Sequence, residues 1–235
     1  MGGVVKEGVW SVIGDMLRRM TDVERPGSLS NRLRSKRFQH FERLVARLRR
    51  PLTILDIGGT VEFWEQRGWA DREDVQITLL NLLPASRTHA RISSVVGDAT
   101  DLSNFEDRSV DVVFSNSVIE HLFHRDHQQL MAREVARVGR DYWLQTPNRW
   151  FPMEPHFQVP LWQFLPRSLR VRILMKRRCG RRGPCGTREE AERLVDEVRL
   201  LTRNELKTFF PDAQIVPERL GGLVKSWIVH SRFER

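Results

Sequence analysis

The sequence has only two cysteines in 235 residues, Cys179 and Cys185, and both lie in the basic stretch Cys-Gly-Arg-Arg-Gly-Pro-Cys. Two thiolates are too few for a four-ligand structural zinc site, so free thiols in a reducing compartment are expected. Long apolar runs are also missing. No window approaches the roughly 20 apolar residues that a membrane-spanning helix needs, and no apolar stretch follows a basic start as in a secretory leader. These absences point to a cytoplasmic protein. There is no internal repeat and no low-complexity tract, so a repeat architecture is not indicated.

What is present is enough apolar material, 40% of the residues, to bury one sizeable core. One α/β domain with appendages is the expected organisation. Lys and Arg total 39 against 30 Asp and Glu, a formal charge of +9. Such an excess attracts phosphates, nucleic acid or membrane headgroups, although an Arg-rich solvated surface explains it equally well.

Along the chain, Val9, Trp10, Ile13, Met16, Leu17 and Met20 recur at helical spacing, as do Leu33, Phe41, Leu44, Val45 and Leu48. Arg25-Pro26-Gly27-Ser28 separates them, so residues 1–50 read as a helical extension to a domain at 51–235. From Leu52 short apolar runs alternate with loops or helical stretches, the pattern of a buried parallel sheet. Strands are expected at about 52–57, 75–80, 92–97, 110–115 and 141–146, with a crossover helix at about 126–139. Five prolines from Pro147 to Pro166, several aromatics and a basic run interrupt this rhythm, so an insert at about 148–200 is expected to cover a site. Beyond it, Thr202 is placed to cap a short helix, and 213–216 with 223–230 read as a closing strand pair.

Polar groups stand at the ends of four successive strands. The first runs into Asp56-Ile57-Gly58-Gly59, the second ends at Asn81, the third in Gly97-Asp98-Ala99, and the fourth in Ser115-Asn116 ahead of Glu120-His121. Glycines at a strand-to-helix turn let a ligand approach the backbone, and open α/β sheets bind ligands beyond the carboxyl ends of their strands. Each acid alone reads equally well as a turn or cap residue; their shared register does not. With these motifs, residues 52–148 and several C-terminal segments resemble the type 11 group of class I S-adenosylmethionine-dependent methyltransferases. The resemblance implies a Rossmann-like α/β sheet of seven strands with an antiparallel final strand, and S-adenosyl-L-methionine as cofactor. It assigns Asp56, Gly58 and Gly59 to the loop around the methionine moiety, Asn81 to the ribose hydroxyls, Asp98 and Ala99 to the adenine edge, and Ser115 with Asn116 to the methionine amino group, with Leu82 also among the cofactor-binding residues. Two departures stand out: Thr60 and Val61 replace further glycines, and Asn81 replaces the usual acid, losing charge assistance to a ribose hydroxyl.

A hydroxyl acceptor must shed a proton as it attacks, and a histidine suits that task. His156 follows the fifth strand, where the family places acceptor-facing loops, with Glu154 as its orienter; a loop hydrogen bond is the competing reading. His121 is the second candidate. Glu120, Trp150, Phe151 and Phe157 are expected to wall the acceptor pocket, although core packing also explains aromatics. Some ubiquinone-pathway O-methyltransferases resemble the Glu120-His121 region and hold a divalent metal there; Ser117 leaves such a site one ligand short, so no metal is expected. His124 and His127 read as solvent-facing. The expected acceptor is a small metabolite, sugar or glycolipid hydroxyl, with peripheral contact to an anionic membrane through residues 161–182. A nucleic-acid methyltransferase is the alternative that the charge suggests, but the Pro-Pro-aromatic signature of base and amide methylation is replaced here by Ser-Asn-Ser-Val-Ile, and no separate nucleic-acid-binding module is visible. A non-catalytic protein that kept the fold is the third reading.

Overall fold

The computed structural model describes residues 29–233. The chain divides into two compact units, one ending at Leu48 and one running from Arg49. In the first, helix α1 (Leu29–Val45) carries the second of the two helical patterns. The pattern from Val9 to Met20 lies outside the described residues.

The second unit is built on one seven-stranded sheet. Its strands are β1 (Leu52–Ile57), β2 (Val75–Asn81), β3 (Ile92–Val96), β4 (Val110–Asn116), β5 (Gly139–Pro147), β6 (Gln214–Leu220) and β7 (Leu223–His230). The spatial order is β3-β2-β1-β4-β5-β7-β6. The first five pair in parallel, while β7 runs antiparallel to both β5 and β6. The chain reverses its direction of winding between β1 and β4, so a crevice opens beyond their carboxyl ends. Buried runs such as Leu52, Ile54, Leu55 and Ile57 in β1 and Val112, Val113 and Phe114 in β4 have both faces covered, which explains their continuous apolar reading.

Helix α2 (Val61–Glu65) is a single short turn after β1, and α3 (Arg125–Val138) is the crossover between β4 and β5. Met131, Ala132, Val135 and Val138 of α3 are buried in the main core with Leu55, Val113 and Leu144. The insert folds into α4 (Arg167–Lys176) and α5 (Arg188–Asp196), followed by α6 (Arg203–Phe209) outside it. It has a core of its own, formed by Phe157, Trp162, Val171, Leu174, Cys179, Cys185, Ala191 and Val195. Both cysteines are free and buried. No helix among the described residues is long and apolar enough to cross a membrane.

Candidate active site

The β1 turn shows why two glycines stand there. Gly58 has φ +75°, and a Cβ on it would lie 2.4 Å from Val118 Cγ2; a Cβ on Gly59 would lie 1.8 Å from Asp56 Oδ2. Asp56 itself is buried beneath the loop, where its Oδ2 accepts a 2.8 Å hydrogen bond from Trp64 Nε1. Burial raises its pKa to about 8, against the lowering effect of that bond. The departure at Thr60 has a structural reason: its hydroxyl accepts from Phe63 N and caps α2, and Val61 behind it is buried.

A cavity of about 460 Å³ opens over the ends of β1, β2 and β3, lined by Gly58, Gly59, Asn81, Leu82, Asp98 and Ala99, with Val118, His121 and Leu122 closing one side. Asn81 Nδ2 donates to Gly59 O at 3.0 Å, which commits the amide nitrogen and leaves the side-chain oxygen as an acceptor. Asp98 Oδ1 accepts from both the backbone nitrogen and the hydroxyl of Thr100 at 2.8 Å. The loop after β2 adds Leu82 and Leu83, 71% and 75% exposed, an apolar ledge that only a ligand or partner would cover.

Next to this cavity lies a polar cluster. The rings of His121 and His156 meet edge to face with centroids 4.8 Å apart. Glu154, 1% exposed, receives Nδ1 of His156 on Oε1 at 2.6 Å, while its Oε2 accepts the backbone nitrogens of His156 and Phe157 at 2.8 and 2.7 Å. Burial by itself disfavours the His156 imidazolium, but the bond to Glu154 and the charges of Glu154 and Glu120 hold its pKa above the usual value. His121 goes the other way: burial and then the neighbouring His156 push it down to about 4. Glu120 is fully buried, and burial raises its pKa to about 7. Its Oε2 accepts from Thr146 Oγ1 at 2.9 Å, and its Oε1 has no hydrogen-bond partner among the described residues. Glu120, His121 and His156 each offer a ligating atom, all within 4.8 Å of one another, so these three are the residues able to hold a cation. His124 and His127 face each other on α3's first turn and are not part of that group.

Residues 55–141 match the family model described as a methyltransferase domain. That stretch, less than half of the chain, is similar to the type 11 group of methyltransferase domains. Over 77 residues the chain is 34% identical to the uncharacterized protein Rv1509 of Mycobacterium tuberculosis, a stretch that spans 33% of this chain and 26% of that protein. The chain thus matches about a quarter of that relative's length. Among solved structures, a possible exported protein from Bordetella parapertussis superposes with TM-score 0.52 at 16% identity, covering 92% of this chain and 78% of that one. The N-methyltransferase NodS from Bradyrhizobium japonicum gives 0.50 at 10% identity, covering 85% and 96%. Both show the fold.

The domain implies S-adenosylmethionine, and the cavity's donors fit it. A glycine turn without room for a Cβ, an amide oxygen at the end of β2 and a carboxylate just beyond β3 line the cavity, the groups that the resemblance assigns to methionine, ribose and adenine. Six of the nine sequence-derived cofactor residues line this cavity. Asp56, Ser115 and Asn116 do not. Asp56 is turned under the glycine loop and Ser115 is 1% exposed in β4, which keeps both side chains from the cavity, while Asn116 is half-buried at the end of β4. Of the acceptor residues, Trp150 is 63% exposed and stacks on Phe164, whereas Phe157 is 1% exposed and stacks on Trp162 within the insert's core. Phe157 therefore reaches only the small second cavity described below. Ser117, at the position three before Glu120, has φ +62° and donates its hydroxyl to Gln145 Oε1 at 2.8 Å, which ties it to β5. Sequence reading missed the Leu83–Arg87 wall of the cavity, because no motif singles that segment out.

Proposed function

We propose that this protein is an S-adenosylmethionine-dependent methyltransferase acting on a hydroxyl of a small molecule, sugar or glycolipid, with His156 as general base. The observation that carries the reading is the Glu154–His156 pair, held at 2.6 Å and in ring contact with His121, which lines the cofactor-sized cavity. The bound cofactor supplies a methyl carbon already activated by its sulfonium, so no covalent intermediate with the protein is needed. The chain's own work is alignment, exclusion of water and removal of one proton. With Nδ1 committed to Glu154, His156 presents Nε2 to the acceptor hydroxyl, and Glu154 stabilises the imidazolium that results.

Calorimetry with S-adenosylmethionine is the first test: micromolar binding is expected, and no binding at millimolar ligand would favour a non-catalytic role. His156→Ala should lower transfer of a labelled methyl group to extracted small molecules and lipids by ~10² or more, with cofactor binding retained. Retained transfer would remove His156 from the base role. The partnerless Glu120 Oε1 supports a second reading, in which a divalent cation on Glu120, His121 and His156 takes over deprotonation. There Glu154 would orient His156 from behind, as carboxylates do for metal-bound imidazoles. Manganese titration separates the two, since only the cation reading gives stoichiometric binding that Glu120→Gln abolishes.

A further inference from the structure

A second cavity, of about 170 Å³, lies in the insert, with Arg149, Glu154, Trp162, Gln163, Arg170 and Arg199 among its walls. Its polar groups are left short of partners in an unusual way. Arg170 Nε, Trp162 Nε1 and Gln163 Oε1 are all buried without a hydrogen bond among the described residues. Trp162 is only 1% exposed, so its indole N–H cannot turn to water. Arg149 uses its backbone, donating N to Leu201 O and accepting from Gln163 on its carbonyl, while its guanidinium makes no hydrogen bond or ion pair among the described residues. Burial disfavours the charge on Arg170, Asp196 opposes that effect, and Arg167, Glu154 and Arg149 add smaller contributions, the two arginines against the charge and Glu154 for it. Arg199 is occupied on Gln128 and Glu205, and Glu154 on His156 and the backbone of His156 and Phe157.

Two half-buried arginines line one small cavity, and the buried Nε–H of Arg170 and indole N–H of Trp162, each without an acceptor among the described residues, are costly unless something supplies oxygen lone pairs. We propose that this cavity is an oxyanion subsite, taking a phosphate monoester or carboxylate borne by the acceptor, with Arg149 and Arg170 as its cationic pair and Trp162 Nε1 as a third donor. Gln163 Oε1, a buried acceptor without a partner among the described residues, would receive a hydroxyl of the same ligand or the proton of a phosphate monoanion. Glu154 belongs to both this cavity and the His156 pair, so an acceptor anchored here has its anionic end one side chain away from the proposed base. The inference deepens the acceptor class of the proposed methyltransferase site, but the anion subsite is tested without cofactor or turnover.

The experiment is calorimetric and thermal-shift titration of the full chain with inorganic phosphate and, separately, malonate at constant ionic strength. Saturable binding of at least one of them is expected, weakened tenfold or more in Arg149→Gln and in Arg170→Met and unchanged in Arg172→Gln, an exposed cation of α4. Arg149 is half-exposed, so its variant remains informative if the Arg170 variant fails to fold. Preference for phosphate or for malonate identifies which oxyanion the acceptor bears. The proposal is overturned if neither probe binds saturably, or if Arg172→Gln weakens binding as much as Arg149→Gln. Because S-adenosylmethionine is absent from these titrations, failure of cofactor binding would leave this result standing, and the reverse is equally true.

Discussion

At the scale of single residues, the site separates two histidines that the sequence presents as near equals. His156 is drawn toward the charged form by Glu154, whereas His121 is held neutral by burial and by His156. A base must be deprotonated to act, so the rising limb of kcat/KM against pH is expected above the ordinary histidine value of about 6.5. Glu154→Gln removes the charge and the acceptor that favour the imidazolium, so the limb should move to lower pH while kcat falls. A limb that stays in place would separate Glu154 from the base. Residue identity was the most legible level in the sequence: Gly58, Gly59, Asn81 and Asp98 were all visible as strand-end residues, because register along a strand is a local property. Asp56 was legible as a residue and not as a contact, since only the fold shows its carboxylate turned to Trp64 and excluding any Cβ at Gly59. The pairing of His156 with Glu154 was readable because they are two residues apart. Arg149, Arg170 and Arg199 were not, because their convergence depends on how the insert folds back.

At the scale of elements, periodicity and capping located the strands and helices well where the pattern was regular. The crossover helix expected at about 126–139 is Arg125–Val138, and the closing strand pair is present, with β6 extending to Leu220. Helix α6 begins where Thr202 suggested: Thr202 Oγ1 accepts from Glu205 N at 3.2 Å, and Glu205 Oε2 accepts from Thr202 N at 2.9 Å, a reciprocal cap. Glu205 also meets Arg199, which lines the arginine cavity and bonds Gln128 of α3. Thr202→Ala is therefore expected to cost about 1 kcal/mol in denaturant unfolding. A loss under a few tenths would show that packing of Leu206 and Phe209 alone holds the helix. The insert resisted reading because its prolines and aromatics carry no period; α4 and α5 are defined by contact with each other around Trp162 and Leu174.

At the scale of the whole molecule, the net charge of +9 is unevenly spent. Arg167, Arg182 and Arg188 are paired with Asp196, Glu197 and Glu192, whereas Arg172, Lys176 and Arg177 are exposed beside the exposed Phe164, Leu169 and Met175. Peripheral contact of this face with an anionic membrane is our proposal for it. Sedimentation with vesicles containing phosphatidylglycerol should retain the protein at low salt and release it as salt rises, with neutral vesicles inert; a steep salt dependence with RNA and no vesicle binding would replace the membrane by nucleic acid. The insert's private core has one more consequence. Cys179 and Cys185 are sealed inside it, and burial raises the pKa of both thiols. An alkylating reagent can reach them only when that core parts, so the rate of thiol labelling is a built-in clock for opening of the insert, and any ligand that fastens the insert will slow it.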